Sequence, residues 1–185
     1  NTDREFSKDD KKKILIIGNS HGLDLYKSIN TISHYLENFE TRYYQMGDEC
    51  YNMFTDNLNF FEKIEFFISK LTSFGTQKDC LNRILKLKNS NLLNYSDTII
   101  ISNRYRNSSL KNLAIFLKAI KTNNNKIVLT NNGPKFIDPK ALISRHKTYD
   151  ISAINKLFYE SQDIRVVKLN KKLLKIAYQQ NVILF

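Results

Sequence analysis

Apolar and polar positions alternate between two rhythms along this chain. Short unbroken apolar runs, rich in β-branched residues, stand at 13–17 (Lys13-Ile14-Leu15-Ile16-Ile17), 97–102, 126–130 and 181–185. Runs of this kind suit strands buried on both faces of a parallel sheet. Residues 41–46 read as a further strand, closed by Gly47-Asp48. Between the runs the apolar residues recur at three- and four-residue steps. Leu25, Ile29, Ile32 and Leu36 predict a helix over 23–39. The same spacing predicts helices over 58–72, 79–93, 108–121, 150–160 and 164–179. Asn131-Asn132-Gly133-Pro134 breaks the fourth strand, and a polar loop follows to about Tyr149. Strands alternating with helices, joined by right-handed crossovers, give an α/β fold with three α/β/α layers. Its five-stranded sheet is flavodoxin-like and mostly parallel.

Composition adds limits. A length of 185 residues, 42% of them hydrophobic, fits one domain with a sizeable core. Residues 1–12 are polar and read as a linker or frayed terminus, so the domain is placed at 13–185. No apolar run approaches the ~20 residues that span a bilayer, and no signal-like segment follows Asn1. The formal net charge of +11 admits an anionic partner such as nucleic acid or an acidic glycan, but lysines scattered along helices more commonly form a solvated face. Cys50 and Cys80 match no zinc spacing, and composition alone leaves free thiols and a disulfide both open.

Chemistry is expected at the carboxyl ends of the strands, where ligands bind in open α/β sheets. Gly18-Asn19-Ser20-His21 falls there, between the first strand and the first helix. A serine at a helix start is close to unpaired peptide N–H groups that can stabilise an oxyanion. It can equally be a plain N-cap, and position alone does not separate the two roles. Neither a P-loop nor a dinucleotide-binding glycine pattern occurs.

The segment Ile14 to His21 closely resembles block I of the SGNH (GDSL-like) hydrolases. It is most similar to the Gly-Asp-Ser-His form of SGNH domains fused to acyltransferase-3 membrane proteins, with Asn19 in place of the aspartate. Met46-Gly47-Asp48-Glu49-Cys50 and Ile101-Ser102-Asn103-Arg104-Tyr105 follow in the family's order, as does the strand-to-proline segment ending at Pro134. The resemblance implies that Ser20 is the nucleophile and that Ser20 N–H, Gly47 N–H and the Asn103 amide form the oxyanion hole. It also implies that Cys50 and Cys80 are bridged. It further implies acyl-ester chemistry without a cofactor or metal: O-acetyl transfer to a bacterial surface polysaccharide, or the matching ester hydrolysis. The domain would then be extracytoplasmic, in the periplasm, tethered through a membrane acyltransferase in the same polypeptide. An acylated donor and a polysaccharide acceptor are its partners, in preference to nucleic acid. A rival reading is a non-catalytic module gripping an anionic glycan.

The family's Asp-x-x-His motif, source of its acid and base, is absent from this sequence. The expectation is that such a segment lies beyond Phe185. The histidines present stand as accessories. His21 neighbours Ser20, but adjacent side chains on a helix diverge. His34 is expected on the helix surface. His146, with Asp138 or Asp150 behind it, is either a loop residue or a stand-in base. Asp48 and Glu49 are expected to be solvated turn carboxylates, and Arg104 is an accessory cation beside Asn103.

Overall fold

The computed structural model of the chain describes residues 4–32, 37–53, 75–122, 124–135 and 150–185. Five strands form one parallel sheet in the order β2-β1-β3-β4-β5: β1 (Lys12–Gly18), β2 (Phe39–Gln45), β3 (Thr98–Ser102), β4 (Lys126–Leu129) and β5 (Ile183–Leu184). The central β1 pairs Ile16 with Tyr43 of β2 on one side and with Ile100 of β3 on the other. Leu15, Ile16 and Ile17 have no exposed surface, as expected for a strand covered on both faces.

Helices lie on both sides, as the expected three layers require. On one side α1 (Ser20–Thr31) packs over β1 and β2. On the other, α2 (Gly75–Asn89), α4 (Asn107–Ile120) and α6 (Ile164–Gln180) share a core with the sheet. That core joins Leu15, Ile17, Ile99, Ile101 and Leu129 to Leu113, Phe116, Leu117, Leu169 and Leu173. Each such side chain contributes roughly 1.5–3 kcal/mol on leaving water. The short α3 (Leu92–Tyr95) leads into β3, and α5 (Ile151–Glu160) precedes α6. Asp163 caps α6 by accepting the Arg165 N–H at 2.9 Å. The Arg165 guanidinium, hydrogen-bonded to the same carboxylate, lowers its pKa to about 2.

Three expectations are corrected. The first helix ends at Thr31, with Ile32 as its C-cap and half exposed, and Phe39 opens β2 instead of continuing the helix. Its apolar spacing ran on with no glycine or proline to stop it. The stretch read as a linker is partly docked: Phe6 is buried in the core, and Ser7 donates N–H and hydroxyl bonds to Glu40. The helix placed at 79–93 runs from Gly75 to Asn89, with Leu92–Tyr95 as a separate turn. The expected helix over 58–72 and most of the loop to Tyr149 lie outside the described residues.

Candidate active site

Ser20 is the first residue of α1, at the carboxyl edge of β1, and is exposed. It does not cap the helix. Asn19 does, its Oδ1 accepting the His21 N–H at 3.0 Å. The alternative of a plain capping serine is therefore set aside, and among the described residues no group bonds Ser20 Oγ. As the first helical residue, Ser20 also has a peptide N–H with no intrahelical acceptor.

The turn that carries Ser20 is held from three directions. Gly18 and Gly22 bring α1 hard against the end of β3. A Cβ on Gly18 would overlap Ser102 O and stand 3.0 Å from Gly22 Cα, while one on Gly22 would stand 3.0 Å from the same oxygen. No glycine among the described residues has positive φ, so Gly18 is required for close approach and not for the turn's dihedral angles. From β2, the Tyr43 hydroxyl reaches Gly18 O at 2.9 Å and Asn19 O at 3.0 Å. From β3, buried Asn103 accepts the Asn19 N–H on Oδ1 at 2.7 Å. A peptide N–H needs an acceptor and a carbonyl needs a donor, so these partners fix the amide's orientation. Its Nδ2 is 3.4 Å from Met46 O and bonds the Tyr51 hydroxyl.

Asn103 thus reaches the serine turn with its Oδ1, through the peptide of Asn19, while its Nδ2, the expected oxyanion donor, is engaged by Met46 and Tyr51. Tyr51 is fully buried and stacked on Phe116 with ring centroids 4.4 Å apart. Burial pushes its hydroxyl far above the ordinary tyrosine range, so the group stays neutral and holds its bond to Asn103.

Gly47 lies two residues beyond the end of β2, after Met46. Met46 N–H bonds Gly18 O at 2.9 Å, which seats Gly47 beside the serine turn. Gly47 O accepts from Cys50 N, opening a 3-10 helix over Asp48–Met53. Among the described residues nothing accepts the Gly47 N–H. Asp48 departs from expectation: it is 2% exposed, whereas Glu49 is solvated as expected. Cys50 and Cys80 form a disulfide with Cα atoms 5.1 Å apart, tying this 3-10 helix to α2. Glu49 lies near both sulfur atoms, but these are joined to each other and are not thiolate ligands for a metal.

Beyond Asn103 the loops are laced by two more asparagines. Asn132 accepts the Tyr105 N–H on its side chain at 2.8 Å and donates to Tyr105 O at 3.2 Å. Asn170 of α6 does the same for Asn132, at 3.1 and 2.9 Å. Tyr105 is buried, its hydroxyl donating to Ile101 O at 2.9 Å, and burial raises its pKa well above the usual value. Arg104 is exposed on the same edge. His21 is exposed next to Ser20; His34, His146 and Asp138 lie outside the described residues. Sequence reasoning missed Asn19, Gly22, Tyr43, Tyr51, Asn132 and Asn170. Gly22 alone left a usable signal, a second glycine four residues after Gly18, in the first turn of α1.

A family model described as "SGNH domain (fused to AT3 domains)" matches residues 2–185. No curated protein and no solved structure matches the chain.

Proposed function

The chain belongs to the SGNH domain family that is fused to AT3 domains, and on that premise we propose that it performs acyl transfer through an acyl-enzyme on Ser20. The family goes with acyl-ester hydrolase or acyltransferase chemistry. One observation supports Ser20 as the reacting group. An exposed serine hydroxyl, relieved of capping by Asn19, stands where two peptide donors, Ser20 N–H and Gly47 N–H, have no acceptor among the described residues. Such fixed donors stabilise charge as it develops on a carbonyl oxygen.

Ser20 Oγ attacks the ester carbonyl and its proton passes to a base. The carbonyl oxygen becomes an oxyanion between Ser20 N–H and Gly47 N–H. When the tetrahedral intermediate collapses, the donor alcohol leaves with the proton and the acyl group stays on Oγ. A sugar hydroxyl then attacks this ester, forms the product ester and returns a proton to Oγ. Water in place of the sugar makes the same intermediate an esterase. Asn103 is proposed as the third donor, exchanging its long 3.4 Å contact with Met46 O for the oxyanion. The finer assignment is O-acetyl transfer to a bacterial surface polysaccharide, by a periplasmic domain tethered through an AT3 membrane acyltransferase in the same polypeptide.

The test is Ser20→Ala, read by labelling with a serine-directed fluorophosphonate and by mass spectrometry of the acetylated peptide. Loss of both the label and the acetyl adduct is expected, with loss of turnover. A Ser20→Ala protein that turns over acyl ester as before removes Ser20 from the chemistry.

A further inference from the structure

The helices α4 and α6 lie side by side on the outer surface of one layer. Lys172 Nζ donates to Asn107 Oδ1 at 2.9 Å near one end, and Lys121 Nζ to Gln180 O at 3.4 Å near the other. Neither helix contains an aspartate or a glutamate. Six lysines of the pair are exposed: Lys111 and Lys118 on α4, and Lys168, Lys171, Lys172 and Lys175 on α6. Among the described residues none of these six forms an ion pair. The α4–α6 face is therefore a basic surface without acidic side chains on either helix, although exposed lysines also occur elsewhere.

The crest of α6 also carries exposed apolar side chains. Leu169, Leu173 and Ala177 face the core. Steps of four and three then put Ile164, Lys168, Lys171, Lys175 and Tyr178 on one outward stripe. Ile164 is 58% exposed, Tyr178 88% and the flanking Leu174 59%. Lysines interleaved with apolar and tyrosine side chains form the pattern of a helix lying in a lipid–water interface. There the apolar groups enter the acyl boundary and the ammonium groups meet head-group phosphates. A soluble polyanion would be served by the lysines alone and gives no account of the apolar stripe.

We propose that the α4–α6 face docks on an anionic lipid surface. Each lysine near such a surface contributes about fivefold in affinity, so three lysines control about a hundredfold. Because both helices start at the edge of the sheet that carries Ser20 and run along the strands, docking lays the strands along the membrane with the serine edge facing sideways over it. This inference stands on the helix surface and does not depend on the serine chemistry.

The experiment is co-sedimentation of the chain with vesicles of phosphatidylglycerol and phosphatidylcholine, against vesicles of phosphatidylcholine alone. Wild type is expected to bind the former only, with binding falling as salt rises. The Lys168→Gln/Lys171→Gln/Lys175→Gln variant is expected to lose about a hundredfold. A charge-matched control, Lys8→Gln/Lys11→Gln/Lys27→Gln, changes exposed lysines elsewhere and is expected to bind like wild type. Leu174→Ser/Tyr178→Ser is expected to weaken binding with all lysines intact. Circular dichroism checks that each variant is folded. The proposal is overturned if wild type ignores the anionic vesicles or if the control loses as much as the α6 variant. It is equally overturned if heparin, as a soluble polyanion, competes with the anionic vesicles for wild type and binds the apolar variant unchanged, since that outcome assigns the face to a soluble polyanion such as an acidic glycan.

Discussion

Removing the Cys50–Cys80 bridge should lower the stability of the whole chain. The two cysteines are separated by 30 residues. Cross-linking a loop of that length withdraws about 12 cal/mol/K from the unfolded ensemble, or about 3.7 kcal/mol at 25 °C. The native fold should be kept in a Cys50→Ala/Cys80→Ala variant, because each position loses a single sulfur atom, and the small cavity left at these buried positions adds to the loss. For a chain of this size, 1 kcal/mol moves Tm by about 2–4 °C, so a fall of about 7–15 °C is expected. Calorimetry of the variant, of wild type and of wild type with reductant measures it, and the last should match the first. The consequence for the site is local. The bridge anchors the 3-10 helix that follows Gly47, so amide exchange at Cys50, whose N–H bonds Gly47 O at 3.2 Å, should quicken before that of the strands. A double variant that melts with wild type would refute the loop-entropy argument.

Gly18→Ala should cost about 1–3 kcal/mol or more by overpacking, since the new methyl meets the backbone of Ser102 and Gly22 and neither can swing aside; a normal denaturant midpoint would contradict this. Asn103→Ala should destabilise by about 1–3 kcal/mol for each buried partner it orphans. Asn103→Asp keeps the acceptor for Asn19 N–H and loses the donor; it should lower turnover more than stability if the donated bond serves the oxyanion, and equal losses in both would count against that role. Tyr51 and Tyr105 have folded-state pKa values raised above the unfolded value of about 10. Their contribution is complete below that pH and is lost progressively as pH rises from there through the higher folded-state values. Alkaline unfolding and the tyrosinate absorbance of these two residues should therefore appear together, and ionisation in the folded state would disprove their burial.

The strands were legible because each buried run is short, β-branched and uninterrupted, as Ile14–Ile17 and Ile99–Ile101 show. Its place at the carboxyl end of the first strand then put Ser20 at the working edge. The end of α1 was not legible, since Ile32 and Leu36 keep the helical period that Phe39 abandons for β2. Nor was the cap. Asn19 and Ser20 are both good capping residues, and only the 3.0 Å bond from His21 N–H separates them. The disulfide came from family likeness and not from spacing. The partners of Asn103 were hidden for another reason. Asn19, Met46 and Tyr51 are distant from it in sequence, and a buried amide or hydroxyl announces that it needs a partner without saying which one.

The asparagine lacing bears on how the working edge comes apart. Loops usually open one at a time, at low free-energy cost. Here the β1–α1 turn is bonded to Asn103, the peptide of Tyr105 to Asn132, and the peptide of Asn132 to Asn170 on α6. Asn103 and Tyr105 share one loop, so none of these segments can swing away without breaking hydrogen bonds between a peptide group and a side-chain amide of its neighbour. The edge should therefore open as one cooperative unit coupled to the undocking of α6, and drift in any single loop would be shared among all of them.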